Sequence, residues 1–490
     1  MFKIITPEKA GISSKYVLKF IKALDKNNLC THSFIMAKGD SIFVEGYYAP
    51  FHKGFKHRIY SISKSFVGIA VGLAIEDGLL SLDDKMINFF PEYLNEDTDK
   101  LLLDMTISDM LTMQTCVVSH KKWFYQNYKD RIEAYFKAEI IKKPGTSWNY
   151  DSPASFMLCC IVEKLTGKPF LDYLKDRFLI KAGFSLDSYC LKCPGNHSFG
   201  DSGIVCTARD LLVFARFIMN GGRINGVSYI NEEYIKEATK KQVSNSHGGE
   251  YSNGSYGYGY QIWKTRNDGF AFVGMGDQIV ICDPKKDFVF IINSDNQGMG
   301  DFSRTIIYHE LYETIIDNLN ESQEEDYEAF NKLNDYISKL KIFSLNDTIN
   351  STLIEKINGR IYKLNNNPMK IEWIRLDFIE DKGTLAYKNM QGEKSISFGF
   401  GFNVFQKFPQ TGYSNMIASL PSEDNMYDCA VSADWPEHNK LRIKVQIIDN
   451  YIGNLNIELG FKDNEVGVSM IKNAEAFLDE YQGYAIGYDV

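Results

Sequence analysis

Residues 60–68 of this chain are Tyr60-Ser61-Ile62-Ser63-Lys64-Ser65-Phe66-Val67-Gly68, and the apolar residues 69–75 follow them directly. The apolar run predicts a buried helix that begins near Ser61. A serine and a lysine three positions apart lie on the same face of a helix. The serine also lies where backbone N–H groups are free and the helix dipole is positive. One helix start therefore offers a nucleophile, a base and part of an oxyanion hole.

The Ser-x-x-Lys spacing alone is a weak signal, because it also occurs at Ser119, Ser338 and Ser469. The first copy lies in a polar stretch, the second in a charged helix pattern, and the third at the end of a predicted strand. Only Ser61 is followed by a long apolar segment that can bury the pair in a domain core. We therefore take Ser61 and Lys64 as the candidate catalytic pair.

Length and composition narrow the class of protein. A chain of 490 residues predicts two or three domains, and 44% hydrophobic with 24% charged residues is typical of globular proteins. The net charge of −9 argues against nucleic acid and anionic membrane surfaces as partners. The eight histidines show no clustered spacing, so we predict no metal site and no cofactor.

The cysteines and the first residues indicate the expected cellular compartment of the protein. Nine cysteines are an odd number and favour reduced structural thiols over a disulfide framework. The first residues lack the apolar core of a signal peptide, and no run approaches the ~18 apolar residues of a membrane span. We therefore expect a cytoplasmic protein.

Hydrophobic periodicity divides the chain into three parts. Residues 1–320 alternate helices and strands, with an amphipathic helix near residues 10–28 and mostly helical sequence from 60 to 200. Short strands are predicted at Tyr256–Trp263, Phe270–Gly274, Gln278–Cys282 and Phe288–Asn293. This pattern predicts an α/β (α+β) catalytic unit with an antiparallel sheet flanked by helices and a helical subdomain. Residues 321–344 are an acidic linker or helix, and residues 345–490 are predicted to form an all-β barrel or sandwich.

A second motif lies at residues 143–152, Lys-Pro-Gly-Thr-Ser-Trp-Asn-Tyr-Asp-Ser, ahead of an apolar helix pattern at 156–167. A tyrosine on a turn just before a buried helix is well placed to project into a cleft. Tyr150 is therefore a candidate proton acceptor or donor for a serine nucleophile.

These motifs resemble those of the penicillin-recognising serine hydrolases: class C β-lactamases, D,D-peptidases, esterases and nylon-oligomer amidases. The resemblance spans residues 7–320 and implies a β-lactamase/transpeptidase-like fold. It implies Ser61 as nucleophile, Lys64 as its activating partner and Tyr150 as general base or acid. Some members also carry a lipocalin-like barrel after the hydrolase unit. The matching segments are residues 60–68, 76–84, 111–115, 144–150, 200–203 and 207–211.

Two departures from the family pattern affect the expected substrate. Ser152 stands where the second motif usually has asparagine, and the third motif, Lys-Thr-Gly, is missing. Lys264-Thr265-Arg266 lacks the glycine and is expected at a turn. Loss of that lysine removes the cation that would bind a β-lactam or peptidyl carboxylate.

Residues 270–278 resemble instead the G-x-x-G-Q variant of nylon-oligomer amidases and related esterases, with Asp277 in place of its second glycine. The resemblance implies an oxyanion hole formed by the backbone N–H groups of Ser61 and Met275. It also implies that Ser152, Gly274 and Gly276 contact the substrate.

The sequence thus favours a serine hydrolase that forms an acyl-enzyme from an amide, peptide-like or ester bond in a small-molecule or peptide-like substrate. Two alternatives stay open: a β-lactamase or D,D-carboxypeptidase, and a non-catalytic penicillin-binding-like protein that keeps the pocket without turnover. The sequence leaves the oligomeric state open.

Overall fold

The computed structural model describes residues 2–117, 130–245, 256–320, 323–345, 351–413, 425–475 and 477–490. These residues divide into two compact units, the first ending at Lys341 and the second beginning at Ile342. None of the helices in the described ranges combines the length and the apolar composition needed to cross a bilayer.

Helices and short strands alternate along the first unit. Its strands are β1 Lys3–Ile4, β2 Thr31–Lys38, β3 Ser41–Tyr47, β4 Lys56–Arg58, β5 Tyr189–Cys190, β6 Ile204–Thr207, β7 Arg223–Ile224, β8 Val227–Ser228, β9 Trp263–Lys264, β10 Phe270–Gly274, β11 Gln278–Asp283 and β12 Phe288–Ser294. Its α-helices are α1 Pro7–Ala10, α2 Ser14–Lys26, α3 Ser63–Glu76, α4 Lys100–Asp104, α5 Ile107–Leu111, α6 Arg131–Phe136, α7 Ser152–Thr166, α8 Phe170–Leu174, α9 Ile180–Ala182, α10 Ala208–Met219, α11 Glu232–Thr239, α12 Asp301–Glu310 and α13 Tyr327–Ile337.

Tighter and wider turns supplement these helices. The 3₁₀ turns of the first unit are Tyr60–Ile62, Met86–Phe89, Pro91–Tyr93, Arg266–Asp268 and Ile316–Asn318, and its π turns are Lys175–Leu179 and Leu311–Ile315.

The central sheet has the strand order β1-β3-β2-β12-β11-β10-β9. Its neighbours pair antiparallel, as predicted, except that the edge strand β1 runs parallel to β3. The register of β10, β11 and β12 places Phe272 and Phe290 on opposite faces. Phe20 of α2 packs edge-on against Phe290, and Phe214 of α10 packs against Phe272. Helices therefore cover both faces of the sheet.

The helical part of the first unit is built around α3 and α7, which pack against each other. Residues 64–74 of α3 and 152–162 of α7 are buried. The burial of both helices on all sides explains why their sequences are apolar without a polar stripe.

One predicted strand is wrong. Residues Tyr256–Trp263 do not form a continuous strand: Tyr258 makes isolated bridges, and only Trp263 and Lys264 form β9. Gly257 and Gln261 have φ of 115° and 59°, and such left-handed conformations interrupt a strand. Lys264 consequently lies in an edge strand and not in the turn predicted for it.

Apart from one helix and one 3₁₀ turn, the regular structure in the described residues of the second unit is β-strand, as predicted. Its elements are α14 Ser351–Ile357, β13 Ile361–Leu364, β14 Trp373–Ile379, β15 Lys382–Asn389, β16 Gly392–Phe400, β17 Val404–Lys407, β18 Asp428–Glu437, β19 Lys440–Ile448, β20 Ile452–Lys462, β21 Glu465–Asn473, the 3₁₀ turn Asp479–Tyr481 and β22 Gly483–Asp489. The alternation after residue 345 predicts the strands that correspond to β14, β15, β16 and β18 to β21, but not the short or terminal strands β13, β17 and β22.

Nine of these strands close into a barrel. Antiparallel pairs run from β16 through β15, β14, β13, β22, β21, β20 and β19 to β18. A short parallel pairing of β16 with β18, through Gly399 with Ser432 and Phe400 with Ala433, completes the ring. The prediction of a C-terminal all-β barrel is confirmed.

Neither of the other two Ser-x-x-Lys copies among the described residues lies at the start of a buried helix. Ser338 directly follows α13, and Ser469 lies within β21. Ser119 lies outside the described residues.

The helix α13 occupies the segment predicted as an acidic linker or helix and packs against α2.

Candidate active site

Ser61 lies in the 3₁₀ turn Tyr60–Ile62, immediately before α3 begins at Ser63. The sequence predicted Ser61 inside the first helical turn, and the difference of two residues is typical of helix starts. Tyr60 has φ of 48°, a left-handed conformation that is unfavourable for a bulky residue. Tyr60 is buried, and the Arg58 guanidinium lies 4.2 Å from its ring centroid. Strained residues of this kind concentrate at functional sites.

Lys64 is the best-defined member of the site. Its side chain is almost completely buried, with 1% of the residue exposed. Its Nζ lies 3.0 Å from Ser61 Oγ and donates a 2.7 Å hydrogen bond to the backbone carbonyl of Asp201. The carbonyl fixes the ammonium, so that the lysine is directed at the half-buried serine. This geometry brings together the two residues that the spacing predicted.

Tyr150 completes the cluster from a second segment. Lys64 Nζ lies 5.2 Å from the centroid of the Tyr150 ring. The loop before Tyr150 is anchored because Asn149 N–H donates to the Met113 carbonyl. Asp151 then caps α7 by accepting from Ala154 N–H. The end of the loop and the helix start together hold the Tyr150 ring beside Lys64.

Three further aromatic side chains surround Tyr150. Trp263 of β9 stacks on it, with ring centroids 5.6 Å apart and planes inclined by 24°. Trp148 and Tyr258 pack against Trp263 at 5.7 and 5.1 Å. Burial raises the pKa of the Tyr258 phenol, and the neighbouring Tyr150 adds to this effect. Tyr258 is therefore a packing residue, whereas Tyr150 is half-buried and faces the cluster.

Gln261 holds β9 near the helices that carry the candidate site. Its Nε2 donates to the carbonyls of Met110 and Leu111, and its Oε1 accepts from Ser155 of α7. Its own carbonyl accepts from Ser65 of α3. The side chain and the backbone carbonyl of this one buried residue thus connect α3, α5 and α7 two residues before Trp263.

The predicted oxyanion segment, at the end of β10, approaches the turn that carries Ser61. Gly274, the last residue of β10, lies so close to Ile59 that a Cβ atom would stand 2.3 Å from the Ile59 carbonyl oxygen. This proximity explains the requirement for glycine there, since no side chain fits. Met275 and Gly276 follow in the turn to β11, and both are half-buried. The start of this segment therefore lies against the backbone of Ile59, two residues before Ser61 in the chain.

Ser152 is the first residue of α7 and is 9% exposed. It follows Tyr150 by two positions, as the second motif requires. Lys264 does not supply the missing third-motif cation in this arrangement. Its Nζ donates 2.8 Å hydrogen bonds to the carbonyls of Thr239 and Asp268, and burial lowers its pKa.

Sequence reasoning missed two contributors. The segment 200–203 was identified with a later family motif, yet its role in delivering the Asp201 carbonyl to Lys64 was not predicted. A backbone contact of this kind leaves no trace in residue type. Trp263 was assigned to a strand. The aromatic residues Trp148 and Tyr150 gave only a weak sequence signal that a third aromatic side chain would pack against them.

Among the described residues, no cluster of three histidine, cysteine or acidic side chains is suited to a metal ion.

The chain is similar to several known proteins. The chain is 25% identical over 281 residues to the 6-aminohexanoate-dimer hydrolase of Paenarthrobacter ureafaciens, covering 54% of this chain and 72% of that protein. The octameric penicillin-binding protein homologue from Pyrococcus abyssi shares the fold, with a TM-score of 0.50 and 15% identity over 96% of this chain and 99% of the other. EstCE1, a hydrolase with promiscuous acyltransferase activity, matches with a TM-score of 0.51 and 14% identity over 61% of this chain and 99% of the other.

The family model named Beta-lactamase matches residues 21–312, which is more than half of the chain. The predicted β-lactamase/transpeptidase-like fold is thereby confirmed for the first unit. The chain belongs to the Beta-lactamase family of hydrolases.

Proposed function

We propose that this protein is a serine hydrolase that cleaves an amide, peptide-like or ester bond through an acyl-enzyme on Ser61. The observation that carries the proposal is the 3.0 Å contact of the buried Lys64 Nζ with Ser61 Oγ. A serine hydroxyl attacks a carbonyl only when a neighbouring group removes its proton. We assign that transfer to Lys64, which contacts Ser61 Oγ, and to Tyr150, whose ring lies beside Lys64 Nζ.

The reaction has two steps, acylation of Ser61 and hydrolysis of the acyl-enzyme. Ser61 Oγ forms a bond to the substrate carbonyl carbon while its proton passes to the Lys64–Tyr150 pair. The tetrahedral oxyanion accepts hydrogen bonds from the N–H groups of Ser61 and Met275, and the leaving amine or alcohol takes the proton as its bond breaks. Water then attacks the acyl carbon, and its proton passes through the same groups to Ser61 Oγ as the bond from that oxygen to the acyl carbon breaks and the carboxylic acid leaves.

The missing third-motif cation favours a substrate without a carboxylate beside the scissile bond. Lys264 is engaged by two backbone carbonyls. The relative from Paenarthrobacter is named for a 6-aminohexanoate dimer, and a dimer of an amino acid is joined by an amide. We therefore rank amides and esters above β-lactams for this chain.

The test is intact-mass spectrometry after exposure to a fluorophosphonate, with wild type, Ser61→Ala and the control Ser63→Ala. Ser63 lies two residues away, and its Oγ accepts from Ile204 N–H within the core. We expect one adduct on wild type and on the control, and none on Ser61→Ala. A folded wild-type protein that acquires no adduct would contradict the hydrolase mechanism and favour a non-catalytic binding protein.

Substrate panels then separate the hydrolase classes. p-Nitrophenyl butyrate reports ester cleavage, a p-nitroanilide reports amide cleavage, and nitrocefin reports β-lactam cleavage. We expect the ester or the anilide to exceed nitrocefin by at least tenfold in kcat/KM. Comparable nitrocefin turnover would reverse the ranking and identify a β-lactamase.

A further inference from the structure

The turn between β10 and β11 has an unusual residue at its last position. It consists of Met275, Gly276 and Asp277 between the paired residues Gly274 and Gln278. Gly276 and Asp277 have φ of 73° and 64°. Glycine enters this left-handed region freely, and among other residues aspartate and asparagine tolerate it best. The aspartate that interrupts the family's glycine pattern therefore fits the backbone of this turn.

The Asp277 carboxylate makes polar contacts that a glycine at this position would lack. Only 3% of the residue is exposed. One oxygen accepts from Ser303 Oγ at 2.5 Å and from Asn296 Nδ2 at 3.1 Å, and the other lies 3.4 Å from Arg304 Nε. Ser303 and Arg304 belong to the first turns of α12. The carboxylate thus connects the turn to a rigid helix.

Asn296 strengthens the same connection through the backbone. Its N–H donates to the Gly276 carbonyl at 3.2 Å, while its Oδ1 accepts from Cys30 N–H at 2.8 Å. The turn is consequently held on one side by Asn296 and α12. On the other side the Gly274 backbone lies against the Ile59 carbonyl.

We propose that Asp277 is a positioning residue that fixes the turn carrying the Met275 N–H at the distance from Ser61 that an oxyanion hole requires. This inference rests on the proposed serine-hydrolase function, in which Met275 N–H is one of the two oxyanion donors. A donor displaced by about 1 Å can cost about 100-fold in rate, so a turn closed by backbone alone needs an anchor.

Arg304 has a second effect in this arrangement. An uncompensated carboxylate beside the oxyanion donors would oppose the negative charge that develops in the transition state. The guanidinium at 3.4 Å balances the Asp277 charge. The clamp therefore orients the turn without placing a net negative charge next to the reacting oxygen.

Four variants test the role of Asp277. Asp277→Gly keeps the left-handed backbone and removes the anchor, whereas Asp277→Asn keeps a left-handed residue whose side-chain oxygen can accept from Ser303. Ser303→Ala and Arg304→Gln remove one partner each and leave Asp277 in place. The matched control is Asp283→Ala at the other end of β11, a carboxylate that is 1% exposed and accepts from Lys286 N–H and Asn267 Nδ2.

The readouts are kcat and KM for p-nitrophenyl butyrate, the second-order rate of fluorophosphonate labelling, and the melting temperature. For Asp277→Gly we expect a 10- to 100-fold lower kcat and labelling rate, with KM within threefold of wild type. Asp277→Asn should recover to within about fivefold of wild type, and Arg304→Gln should lose about tenfold in kcat. Asp283→Ala should lower the melting temperature and leave kcat within threefold.

The outcomes separate this inference from the function on which it rests. If wild type is labelled at Ser61 and Asp277→Gly reacts as fast, or slows no more than Asp283→Ala, the positioning role is overturned and the hydrolase function stands. If wild type itself is never labelled, both are overturned. A parallel rise of KM and fall of kcat in Asp277→Gly, without rescue in Asp277→Asn, would also contradict positioning and indicate general damage to the fold.

Discussion

Trp263 is stacked on Tyr150, with their ring centroids 5.6 Å apart and their planes inclined by 24°. The two residues are 113 positions apart in the chain, one in the edge strand β9 and one in the loop before α7. Their contact joins the sheet to the helical part of the unit at the point where Lys64 Nζ faces the phenol. The indole therefore restricts the orientation of the candidate proton-transfer residue.

Removal of the indole should release Tyr150. We expect Trp263→Ala to lower kcat/KM for p-nitrophenyl butyrate by about tenfold, because an aromatic pair contributes about 0.5–1.5 kcal/mol beyond its buried area. Trp263→Phe should stay within threefold, since a phenyl ring can still stack. Steady-state kinetics check both values. The control is Trp373→Ala in β14 of the barrel, and an equal loss in that variant would refute a local effect.

Replacement of Lys64 by methionine should abolish nucleophile activation while keeping the aliphatic packing of its side chain. We expect the labelling rate of Ser61 to fall by more than 1000-fold, because the contact with Ser61 Oγ and the proton-transfer partner are both lost. The Asp201 carbonyl also loses its donor, which should cost about 1–3 kcal/mol of stability. Labelling kinetics and thermal melting measure the two effects separately.

Lys264→Met is the matched lysine control. Its Nζ donates to two backbone carbonyls, so this variant should lose comparable stability. It should nevertheless retain labelling to within fivefold of wild type. A loss of labelling equal to that of Lys64→Met would assign Lys264 to the site and restore the third-motif function that its position excludes.

Gly274 should tolerate no side chain. In Gly274→Ala the Cβ atom would meet the Ile59 carbonyl oxygen at 2.3 Å, so β10 must move away from the turn that carries Ser61. We expect at least a 100-fold drop in kcat and a lower melting temperature. Gly460→Ala in β20 is the control, because a Cβ atom there meets nothing within 4 Å. Full activity in the Gly274 variant would show that close approach of the strand is unnecessary.

The buried histidine pair should make the protein sensitive to mild acid. His32 Nδ1 and His57 Nε2 lie 3.0 Å apart, and each residue is 2% exposed. Burial lowers the pKa of His57 to about 3 and lowers that of His32 well below 6.5, with the neighbouring His57 adding to the second shift. Both rings are therefore neutral in the folded protein at pH values where they are protonated in the unfolded chain.

The lowered pKa values of the two histidines make the stability of the folded protein depend on pH. Between about pH 3 and 6.5 the unfolded state binds more protons, so stability falls as the pH is lowered below about 6.5. Each ring contributes a slope of up to about 1.4 kcal/mol per pH unit. Urea unfolding from pH 5 to 7 should show a shallower slope for His57→Phe than for wild type. Replacement of the exposed His52 by glutamine should leave the slope unchanged, and equal slopes in all three proteins would contradict the assignment.

Features that depend on local spacing were predictable from the sequence alone. The three-residue interval of Ser61 and Lys64 and the apolar residues after it predicted a reactive pair at the start of a buried helix, and the alternation after residue 345 predicted the barrel. Periodicity and helix geometry act over a few residues, so they are readable without the fold. The strand predicted at residues 256–263 failed because left-handed residues at Gly257 and Gln261 interrupt it, and hydrophobicity does not report φ.

The distant groups that complete the candidate site became visible only in the folded chain. The Asp201 carbonyl on Lys64, the Trp263 ring on Tyr150 and the Asp277 carboxylate on Ser303 each join segments far apart in the chain. The sequence even presented Asp277 as a mismatch, whereas the fold gives it a left-handed turn to occupy and a helix start to bind. Contacts of this kind are fixed by the packing of helices against the sheet, because a backbone carbonyl or a stacked ring has no local pattern of its own.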